Sequence, residues 1–432
     1  MIQTRPELQR VALVEGCRTP FLRAGTDFAD SSTYDLARAA VASLLHRAPL
    51  DPGLVDLLVM GRVVPDPQTT NLGREVVFGT DLPDRCAAHT LTLACVSSLQ
   101  STLDVVRAIQ TGDARAGIAA GVETLSDAPL RLRRPLRKRL IASQKARGLR
   151  DYLGLLRGLR PRDLAPEPLA IAERSTGETM GQNGERLAAR LGIGRAEQDR
   201  FACESHHRAA RAAEEGLLEA QIEPVFVPPR YQPVRSDNGV RGDTSLEKLA
   251  ALRPSFRRHV GTITAGNASF LSDGAAALLL LGEGAADESG CEPLAFVRST
   301  AVVGLEPYEE LLLGPALALP RALERAGLEL EDCGVVELHE AFAAQVLAVL
   351  AVLEDPDFCR ERLARPRPVG PIDPARLNAW GGSLSIGHPF GATGARLVLN
   401  CAHRMRHEGA RYGVLSACAG GAVGIAMVLE RP

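Results

Sequence analysis

Apolar positions along the first part of the chain follow two alternating patterns. Short apolar runs predict β-strands at Val11–Gly16, Val55–Met60 and Ala114–Ala120. Between them, apolar residues recur at helical spacing in Tyr34–His46 and Ser97–Gln110, which predicts amphipathic helices. Alternation of strands and helices is typical of an α/β fold, so we expect a mostly parallel sheet covered by helices.

A similar order of elements recurs near the C-terminus. Leu36–Gly61 and Leu319–Ala341 both run from a helix through a short acidic link to a strand. Further on, the pattern predicts an extended segment at Leu377–Gly382, a helix at Thr393–His407 and a strand at Tyr412–Gly421. Two copies of one α/β unit are the simplest account of this recurrence.

Between the two copies the composition becomes basic. Residues 131–162 contain twelve Lys or Arg residues and a single acid, Asp151. Apolar residues at helical spacing from Leu149 to Leu156 predict a basic amphipathic helix, which can lie on an anionic membrane surface or bind phosphates. A solvated face of an inserted loop domain explains the same pattern equally well. The following stretch, Glu185–Ala220, is predicted to be strongly helical.

Length, composition and charge narrow the class of protein. The chain has 432 residues, enough for two or three packed units, with 45% hydrophobic and 24% charged residues, as in ordinary folded proteins. The formal net charge of −2 does not indicate a nucleic-acid partner. The first residues lack a secretory pattern, and no apolar run approaches the roughly 20 residues that span a bilayer, so we expect a cytoplasmic protein.

Two of the nine cysteines have unusual positions. The odd number, without a C-x-x-C pair, argues against a disulfide framework and against a zinc ribbon. Cys95 follows the predicted strand His89–Ala94 and precedes a helix that begins near Ser97, where free N–H groups favour a thiolate. Cys418 ends a predicted strand, and the small residues after it leave backbone N–H groups for an oxyanion. Considered alone, Cys95 is more simply explained as a structural cysteine than as a catalytic one. The segment after Cys418 is explained equally well by an oxyanion site and by a plain turn between two strands.

Two histidines occupy comparable positions. His388 lies in the glycine-rich run Trp380–Leu397 at the entrance to a predicted helix, where a histidine cannot easily fill a core. His339 heads the segment His339–Gln345 after a predicted strand, although by itself it is more simply a histidine held by its own loop. Both histidines and both cysteines fall at the carboxyl ends of predicted strands, where open α/β sheets bind their ligands.

Together these segments resemble the thiolase family along nearly the whole chain. Cys95 in LACVSSLQ is similar to the thiolase nucleophile segment, and His388 in GHPFGATG to the histidine motif. Cys418 in CAGG resembles the second, acid–base cysteine. Thr264–Ser269 resembles the segment that borders the CoA pantetheine, and Glu178–Gly181 the loop-domain stretch near the acyl pocket.

One motif departs from the commonest thiolase pattern. Many members have Asn-Glu-Ala-Phe where this chain has a histidine, His339, before Glu-Ala-Phe. The histidine form is similar to the branch that contains the β subunit of the fatty-acid-oxidation trifunctional complex and its bacterial relatives. This resemblance implies a preference for longer 3-ketoacyl chains.

The resemblance implies a fold, a domain arrangement and an activity. We expect an α/β thiolase fold with two duplicated αβαβα-type halves and an inserted loop domain. The halves are expected at residues 1–125 plus 256–291 and at residues 292–432, with the loop domain at 126–255. The implied activity is that of a 3-ketoacyl-CoA thiolase, an acyltransferase of fatty-acid β-oxidation that works through an acyl-enzyme on Cys95.

The resemblance also implies the site residues and the partners. The expected residues are the catalytic Cys95, His388, Cys418 and His339, the oxyanion donor Gly420, and the substrate- or CoA-binding Ser269, Met180 and Ala341. No metal or redox cofactor is implied, because CoA acts as a substrate. The implied partners are acyl-CoA and CoA, further copies of the chain in a homodimer or tetramer, and a hydratase–dehydrogenase α subunit.

Three other functions are weighed against this one. A biosynthetic acetoacetyl-CoA thiolase would use the same residues in the condensing direction. A ketoacyl-carrier-protein synthase shares the duplicated fold but has no second catalytic cysteine, so Cys418 counts against it. A non-catalytic CoA-binding scaffold belongs to a different class, and the presence of both cysteines and both histidines disfavours it.

Overall fold

The computed structural model describes residues 9–167 and 172–432. Its strands are β1 (Val11–Arg18), β2 (Leu22–Arg23), β3 (Leu57–Gly61), β4 (Ala87–Leu91), β5 (Ala116–Glu123), β6 (Arg131–Leu132), β7 (Pro166–Glu167), β8 (Val225–Val227), β9 (Gln232–Val234), β10 (Ser272–Gly282), β11 (Ala295–Gly304), β12 (Cys333–Leu338), β13 (Tyr412–Ala419) and β14 (Val423–Glu430). Its α-helices are α1 (Thr33–Arg47), α2 (Leu72–Phe78), α3 (Ser97–Thr111), α4 (Arg134–Ser143), α5 (Leu149–Leu156), α6 (Pro161–Leu164), α7 (Met180–Leu191), α8 (Arg195–Glu214), α9 (Leu246–Ala250), α10 (Glu283–Glu288), α11 (Gly314–Ala326), α12 (Ala343–Glu354), α13 (Pro356–Leu363) and α14 (Thr393–Glu408). Short 3₁₀ helices occupy Pro52–Leu54, Glu219–Gln221 and Leu330–Asp332.

Most of the predicted elements are present with shifted ends, but the prediction for one segment was wrong. The segment Leu377–Gly382 forms turns rather than an extended strand, and Leu377 keeps only an isolated parallel bridge to Val336. The prediction that Glu185–Ala220 is strongly helical is confirmed, although the stretch divides into two helices, α7 and α8. The division occurs because Gly192 adopts a left-handed conformation, with φ of 68°, which ends α7.

One ten-stranded sheet crosses the described part of the chain in the order β12-β13-β14-β11-β1-β10-β5-β3-β4, with β2 beside β10. Pairs of β3 with β4 and β5, and of β12 with β13, are parallel. The other pairs along this path are antiparallel, so the expectation of a mostly parallel sheet was wrong. One antiparallel pair is the hairpin from β13 to β14, and the others join strands that are not consecutive in the chain. The alternation of strands and helices along the chain does not reveal the direction of such pairs.

The sheet contains the same arrangement twice. The first half has the order β4-β3-β5-β10-β1, and the second half has β12-β13-β14-β11 with the same parallel and antiparallel pairs. The position of β4 is taken in the second half by Leu377, through its bridge to β12. Helices α1, α2 and α3 of the first half correspond in order to α11, α12 and α14 of the second. The structure therefore confirms the duplicated α/β unit predicted from the sequence.

The helices form three layers around the sheet. Helices α1 and α2 pack in one outer apolar cluster, and α11 and α12 in another. Helices α3 and α14 pack against each other in a central cluster between the strands of both halves. The N-terminal turns of these two helices are in contact. The backbone N–H of Ala395 in α14 donates to Oγ of Ser98 in α3 at 2.9 Å. The fold therefore brings the first turn of a helix from each half to the same place.

The elements from β6 to α9 lie between β5 and β10 in the chain. Helices α4, α5 and α6 pack mainly on one another, whereas α7 and α8 pack against α12. The predicted basic amphipathic helix is present as α5. The predicted domain boundaries themselves stay a prediction. Among the described residues, none of the helices has the length and apolar character needed to cross a membrane.

Candidate active site

Cys95 stands on a sharp turn at the start of the central helix α3. Strand β4 ends at Leu91, earlier than predicted, and Ala94 adopts a positive φ of 45° before the helix begins at Ser97. The Ser97 hydroxyl fixes this turn, since it accepts from the N–H of Leu93 at 2.8 Å and donates to the carbonyl of Ala94 at 2.7 Å. A non-glycine residue in this conformation is uncommon and marks a turn that its surroundings hold in place.

The pKa of Cys95 differs from the sequence-based expectation. Burial raises the pKa of this thiol to about 11, against the opposing effect of the backbone N–H groups of Gly420 and Cys95, which point at the sulfur. The carboxylates of Glu123 and Glu173 raise it further. The expectation that the helix N-terminus would favour a thiolate was therefore wrong for the resting protein, because desolvation of the charged form outweighs it. Cys95 rests as a thiol and needs a base.

Cys418 lies near enough to Cys95 for their charges to interact, although the two are far apart in the chain. It occupies the penultimate position of β13 and is buried, just before the hairpin turn that contains Gly420. Burial raises the pKa of Cys418 strongly, and the negative charge of a Cys95 thiolate raises it further. The structure therefore brings the two predicted cysteines and Gly420 together, and the electrostatic coupling of the two sulfurs disfavours two simultaneous thiolates.

His388 lies just before α14, and its two ring nitrogens have different surroundings. Its Nδ1 is 2.7 Å from Oγ1 of Thr393, which donates to the carbonyl of Pro389 at 2.9 Å. Its backbone N–H donates to Oγ of Ser272 at 2.9 Å. Burial, with a smaller effect of the Arg396 charge, lowers the pKa of His388 to about 3. The imidazole is therefore neutral at neutral pH, and its buried Nε2 has no hydrogen-bond partner among the described residues.

The imidazole of His339 packs against that of His388. It directly follows β12 and is fully buried, and the centroids of the two imidazole rings are 4.2 Å apart. Its Nδ1 lies 3.0 Å from Oγ of Ser383. Burial, followed by the charges of His388 and Arg396, lowers the pKa of His339 well below its usual value. Its Nε2, like that of His388, is buried and lacks a partner within the described ranges.

The predicted substrate-binding residues border this site from two sides. The N–H of Ser269 donates to the carbonyl of Ala341 at 3.0 Å, so these two residues lie side by side next to the His339 segment. On the other side, a Cβ placed on Gly420 would lie 3.9 Å from Sδ of Met180. Met180 therefore lies beside Gly420 of the cysteine group, and Ser269 beside Ala341 of the histidine group. The N–H of His339 connects the two groups, since it donates to the carbonyl of Ser416, two residues before Cys418, at 2.9 Å.

Two carboxyl groups near the cysteines were not identified from the sequence. Glu123 ends β5 and accepts from the N–H groups of Val63, Val64 and Gly391, and burial raises its pKa to about 7. Glu173 accepts from the N–H of Gly421 at 2.6 Å. Glu123 could have been identified from the sequence, because it is a glutamate at the end of an otherwise apolar strand. Nothing in the pattern around Glu173 predicts its contact with Gly421.

Taken as chemistry, the site contains a partly exposed thiol, a second thiol and two neutral imidazoles. Backbone N–H groups of Cys95 and Gly420 point at the sulfur of Cys95. When this sulfur attacks a carbonyl carbon of a substrate, the same N–H groups are available to the carbonyl oxygen. Such a set can form a thioester on the first sulfur, move protons with the second, and stabilise two separate oxyanions.

Comparison with known proteins agrees with this geometry. The model of the thiolase N-terminal domain matches residues 11–284, and that of the thiolase C-terminal domain matches residues 291–431. The mitochondrial trifunctional enzyme subunit beta of Bos taurus is 43% identical over 99% of this chain and 89% of its own length. A 3-ketoacyl-CoA thiolase of Enterobacter sp. (strain 638) is 43% identical over 98% of this chain and 97% of its own.

Solved structures show the same fold. The human mitochondrial 3-ketoacyl-CoA thiolase superposes with a TM-score of 0.84 at 29% identity, over 98% of this chain and 99% of the other. The acetyl-CoA acetyltransferase of Bacillus anthracis superposes with a TM-score of 0.85 at 30% identity, over 98% of this chain and 99% of the other. With both family domains matched in order and relatives aligned over nearly the full length, this chain belongs to the thiolase family.

Proposed function

We propose that this protein is a 3-ketoacyl-CoA thiolase, an acyltransferase that cleaves a 3-ketoacyl-CoA with CoA into acetyl-CoA and a shortened acyl-CoA. Two observations carry the proposal. The charges of Cys95 and Cys418 interact, and the N–H of His339 donates to the carbonyl of Ser416, two residues before Cys418, at 2.9 Å. The imidazoles of His339 and His388 are in contact, and their buried Nε2 atoms have no hydrogen-bond partner among the described residues. A reaction that transfers an acyl group through sulfur and also protonates carbon needs a nucleophile, its base and a separate acid.

The first half-reaction forms the acyl-enzyme. Nε2 of His388 takes the thiol proton of Cys95, and the sulfur attacks the 3-keto carbon of the substrate. The bond between carbons two and three breaks, and its electron pair forms the enolate of acetyl-CoA. Cys418 gives its thiol proton to carbon two, so acetyl-CoA leaves and Cys418 is left as a thiolate.

The second half-reaction returns the enzyme to its resting state. The Cys418 thiolate takes the thiol proton of incoming CoA, whose sulfur attacks the thioester carbonyl. The bond to Cys95 breaks, and its sulfur recovers a proton from His388. The two cysteines ionise in turn, because the negative charge of one raises the pKa of the other.

Two oxyanions form during this cycle and need different donors. The backbone N–H groups of Cys95 and Gly420 suit the oxygen of the attacked acyl carbon. His388 and His339 suit the enolate oxygen of acetyl-CoA, directly or through a water. One such donor is typically worth about 3 kcal/mol of transition-state stabilisation.

The acyl-enzyme is the first test. With Cys95→Ser, we expect no covalent adduct after mixing with a 3-ketoacyl-CoA, as measured by mass spectrometry of the intact protein. Cys291→Ser is the matched control, because Cys291 is a buried cysteine of the outer core of the first half. An adduct that persists in Cys95→Ser, or no adduct in the unaltered protein, would reject the proposal and favour a non-catalytic scaffold.

The separate role of the second cysteine can be tested in the same way. Cys418→Ser should still form the acyl-enzyme with Cys95 but lose most of its turnover, because the serine hydroxyl is a poor acid and base at neutral pH. Stopped-flow acylation and steady-state thiolysis measure the two steps. Equal losses in both would argue against this division of roles.

A biosynthetic acetoacetyl-CoA thiolase is the second candidate. The same residues serve both directions, and the acetyl-CoA acetyltransferase of Bacillus anthracis has a fold as similar as that of the human 3-ketoacyl-CoA thiolase. The 43% identity to the Enterobacter 3-ketoacyl-CoA thiolase supports cleavage as the main reaction. We expect a higher kcat/KM for thiolysis of a long-chain 3-ketoacyl-CoA than for thiolysis of acetoacetyl-CoA. The assay measures the loss of absorbance of the substrate enolate. The opposite preference would support the second candidate.

We propose that the protein acts in the cytoplasm, as a homodimer or homotetramer, with acyl-CoA and CoA as substrates and without a metal or redox cofactor. All nine cysteines are free, as suits a reducing compartment. The bovine relative is by name a subunit of a trifunctional enzyme, which supports pairing with a hydratase–dehydrogenase α subunit. The native mass of the purified protein, alone and after co-expression with such a subunit, distinguishes these assemblies.

We also propose that the basic segment, residues 131–162, contacts an anionic lipid surface. Helices α4 and α5 pack against each other yet leave Ile141, Leu149 and Leu153 exposed among arginines. We expect co-sedimentation with phosphatidylserine vesicles at low salt, and much less with neutral vesicles. The double variant Ile141→Asp, Leu149→Asp should reduce it, unlike Val260→Asp, a change at an exposed position outside the segment. Equal binding by all variants would leave this segment as a solvated face.

A further inference from the structure

The two imidazoles of the site differ in what holds their Nδ1 atoms. His388 faces Thr393, whose hydroxyl lies 2.9 Å from the carbonyl oxygen of Pro389 and donates to it. Thr393 is thereby left as an acceptor for Nδ1–H of His388, so the free Nε2 carries a lone pair. Nδ1 of His339 lies near the hydroxyl of Ser383. The hydrogen bonds of this hydroxyl run in the opposite direction, so that it donates to the imidazole rather than accepting from it.

Oγ of Ser383 receives a hydrogen bond from a group that can only donate. Nη2 of Arg396 donates to this oxygen at 3.0 Å, and a guanidinium has no acceptor. The hydroxyl hydrogen of Ser383 must therefore point elsewhere, and within the described residues its remaining hydrogen-bond neighbour is Nδ1 of His339, at 3.0 Å. Leaving this hydrogen unpaired in a fully buried position would cost about 1–3 kcal/mol.

The surroundings of Arg396 favour its hydrogen bond to Ser383. It lies on α14 and is almost completely buried, with Nη1 4.0 Å from Oε2 of Glu337 on β12. The other carboxyl oxygen of Glu337 accepts from Nη1 of Arg404 at 2.6 Å. Nε and Nη1 of Arg396 have no hydrogen-bond partner among the described residues, so turning away from Ser383 would leave this buried guanidinium without the hydrogen bond that Ser383 provides. The direction of the hydrogen bond at Ser383 is therefore a consequence of the surrounding fold.

We propose that Ser383, oriented by Arg396, is a positioning residue that donates to Nδ1 of His339 and so holds the ring proton on Nε2. From there His339 donates a hydrogen bond to the enolate oxygen of the departing acetyl-CoA. This inference rests on the proposed thiolase reaction. It assigns the two imidazoles opposite tautomers: His388 accepts at Nε2 as the base of Cys95, and His339 donates at Nε2.

The guanidinium also strengthens the donor. A positively charged group that donates to a hydroxyl polarises it, and the hydroxyl then donates more strongly to the next group in the chain. The Nε2–H of His339 becomes a better donor although the ring stays neutral. The reverse tautomer would present a lone pair to the enolate oxygen and repel it, so the position of one proton decides whether His339 helps carbon–carbon cleavage.

The consequence can be isolated because only one of two measurable reactions forms an enolate. Exchange of labelled CoA into an acyl-CoA uses Cys95, His388, Cys418 and the backbone N–H donors but breaks no carbon–carbon bond and forms no enolate. Thiolysis of a 3-ketoacyl-CoA needs the enolate. With Ser383→Ala, we expect kcat for thiolysis to fall about tenfold to a hundredfold, a part of what loss of an oxyanion donor costs. The exchange rate should stay within about twofold.

Ser385→Ala provides the matched control. Ser385 is a buried serine in the same loop, and its hydroxyl lies near Oγ of Ser205 and the carbonyl of Gly382 rather than near either imidazole. It should leave the ratio of thiolysis to exchange unchanged. His339→Ala should lower thiolysis at least as much as Ser383→Ala, and the double variant should lose little more than His339→Ala alone.

The outcomes separate this inference from the proposed function. Equal loss of thiolysis and exchange in Ser383→Ala, or additive losses in the double variant, would show a structural role and overturn the inference. Unchanged thiolysis would overturn it as well. If the unaltered protein performs neither reaction, the proposed function itself fails. Should Ser383→Ala not fold, Ser383→Cys, which is similar in size but a weaker donor, supports the same comparison.

Discussion

At the residue scale, exposure distinguishes one cysteine from the rest. All nine cysteines lie in the described ranges, and eight are buried whereas Cys95 is partly exposed. Exposure alone does not make it reactive, because its surroundings raise the pKa of the thiol to about 11, with burial as the main cause. Burial lowers the pKa of His388 to about 3, so the imidazole is neutral and can accept the proton, but burial also weakens it as a base. The transfer from Cys95 therefore depends on the bound substrate, whose developing negative charge favours the imidazolium.

This balance predicts how free Cys95 reacts with iodoacetamide. A thiol whose pKa lies above the working range is mostly protonated, and its thiolate fraction rises about tenfold for each unit of pH. We therefore expect the alkylation rate of Cys95 to increase steeply and continuously from roughly pH 7 to pH 9. Mass spectrometry of the Cys95 peptide measures the rate. A fast rate that is already constant across this range would show a preformed thiolate and contradict the raised pKa.

At the element scale, the end of strand β12 depends on one side chain in a neighbouring turn. Asn378, which has a positive φ of 44°, accepts from the N–H of Leu338 and donates to its carbonyl, both at 2.8 Å. It also donates to Oε1 of Glu340 at 2.7 Å. These bonds take the place of a further strand and hold His339 at the point where β12 ends.

Asn378→Asp should therefore destabilise the protein and weaken thiolysis. The change removes two hydrogen bonds and puts a second carboxyl group against the buried Glu340, at a cost on the order of 3 kcal/mol in the free energy of unfolding. Burial already raises the pKa of Glu340, and the new pair favours a shared proton in the folded state. The loss should thus grow as the pH rises and shrink near pH 5.

Denaturant unfolding at two pH values measures this effect. Asn238→Asp is the matched control, since Asn238 is exposed and the new carboxylate can still accept from the N–H of Arg23. We expect this control to change stability by less than about 0.5 kcal/mol. Equal effects of the two substitutions would show that the contact of Asn378 with Glu340 has no special weight.

At the scale of the whole molecule, the site exists only because the two halves approach very closely. Cys95 and Glu123 belong to the first half, whereas the two histidines and Cys418 belong to the second. The backbone of Gly121 on β5 lies directly against Gly391 in the His388 loop, so a Cβ on Gly121 would overlap the carbonyl oxygen of Gly391. The N–H of Gly391 in turn donates to Glu123 at 3.1 Å.

Gly121→Ala should push the His388 loop away from the first half. Gly121 does not need a left-handed backbone, so the added methyl acts through its volume alone. We expect a loss of about 1–3 kcal/mol in the free energy of unfolding and a much larger proportional loss of activity than of stability. Gly304→Ala is the matched control, because a Cβ there would meet only open space. Full activity in Gly121→Ala would show that the loop adjusts without moving His388.

The sequence by itself determined the local features of this protein. Apolar periodicity located most strands and helices, and the repeated order of elements revealed the duplication, because both depend only on neighbours along the chain. Motifs around Cys95, His388, Cys418 and His339 marked the candidate site. A local pattern could not show how those four positions meet, since each lies beside residues that are distant in the chain.

The tertiary structure alone decided the strand directions, the protonation of the site and its supporting residues. Burial made Cys95 a thiol although a helix N-terminus favours the thiolate, and that burial comes from both halves. Glu123 and Ser383 gained their roles through contacts with residues distant in the chain. The physical reason is that desolvation and hydrogen-bond direction depend on what surrounds a group in space, whereas periodicity records only which face of an element is buried.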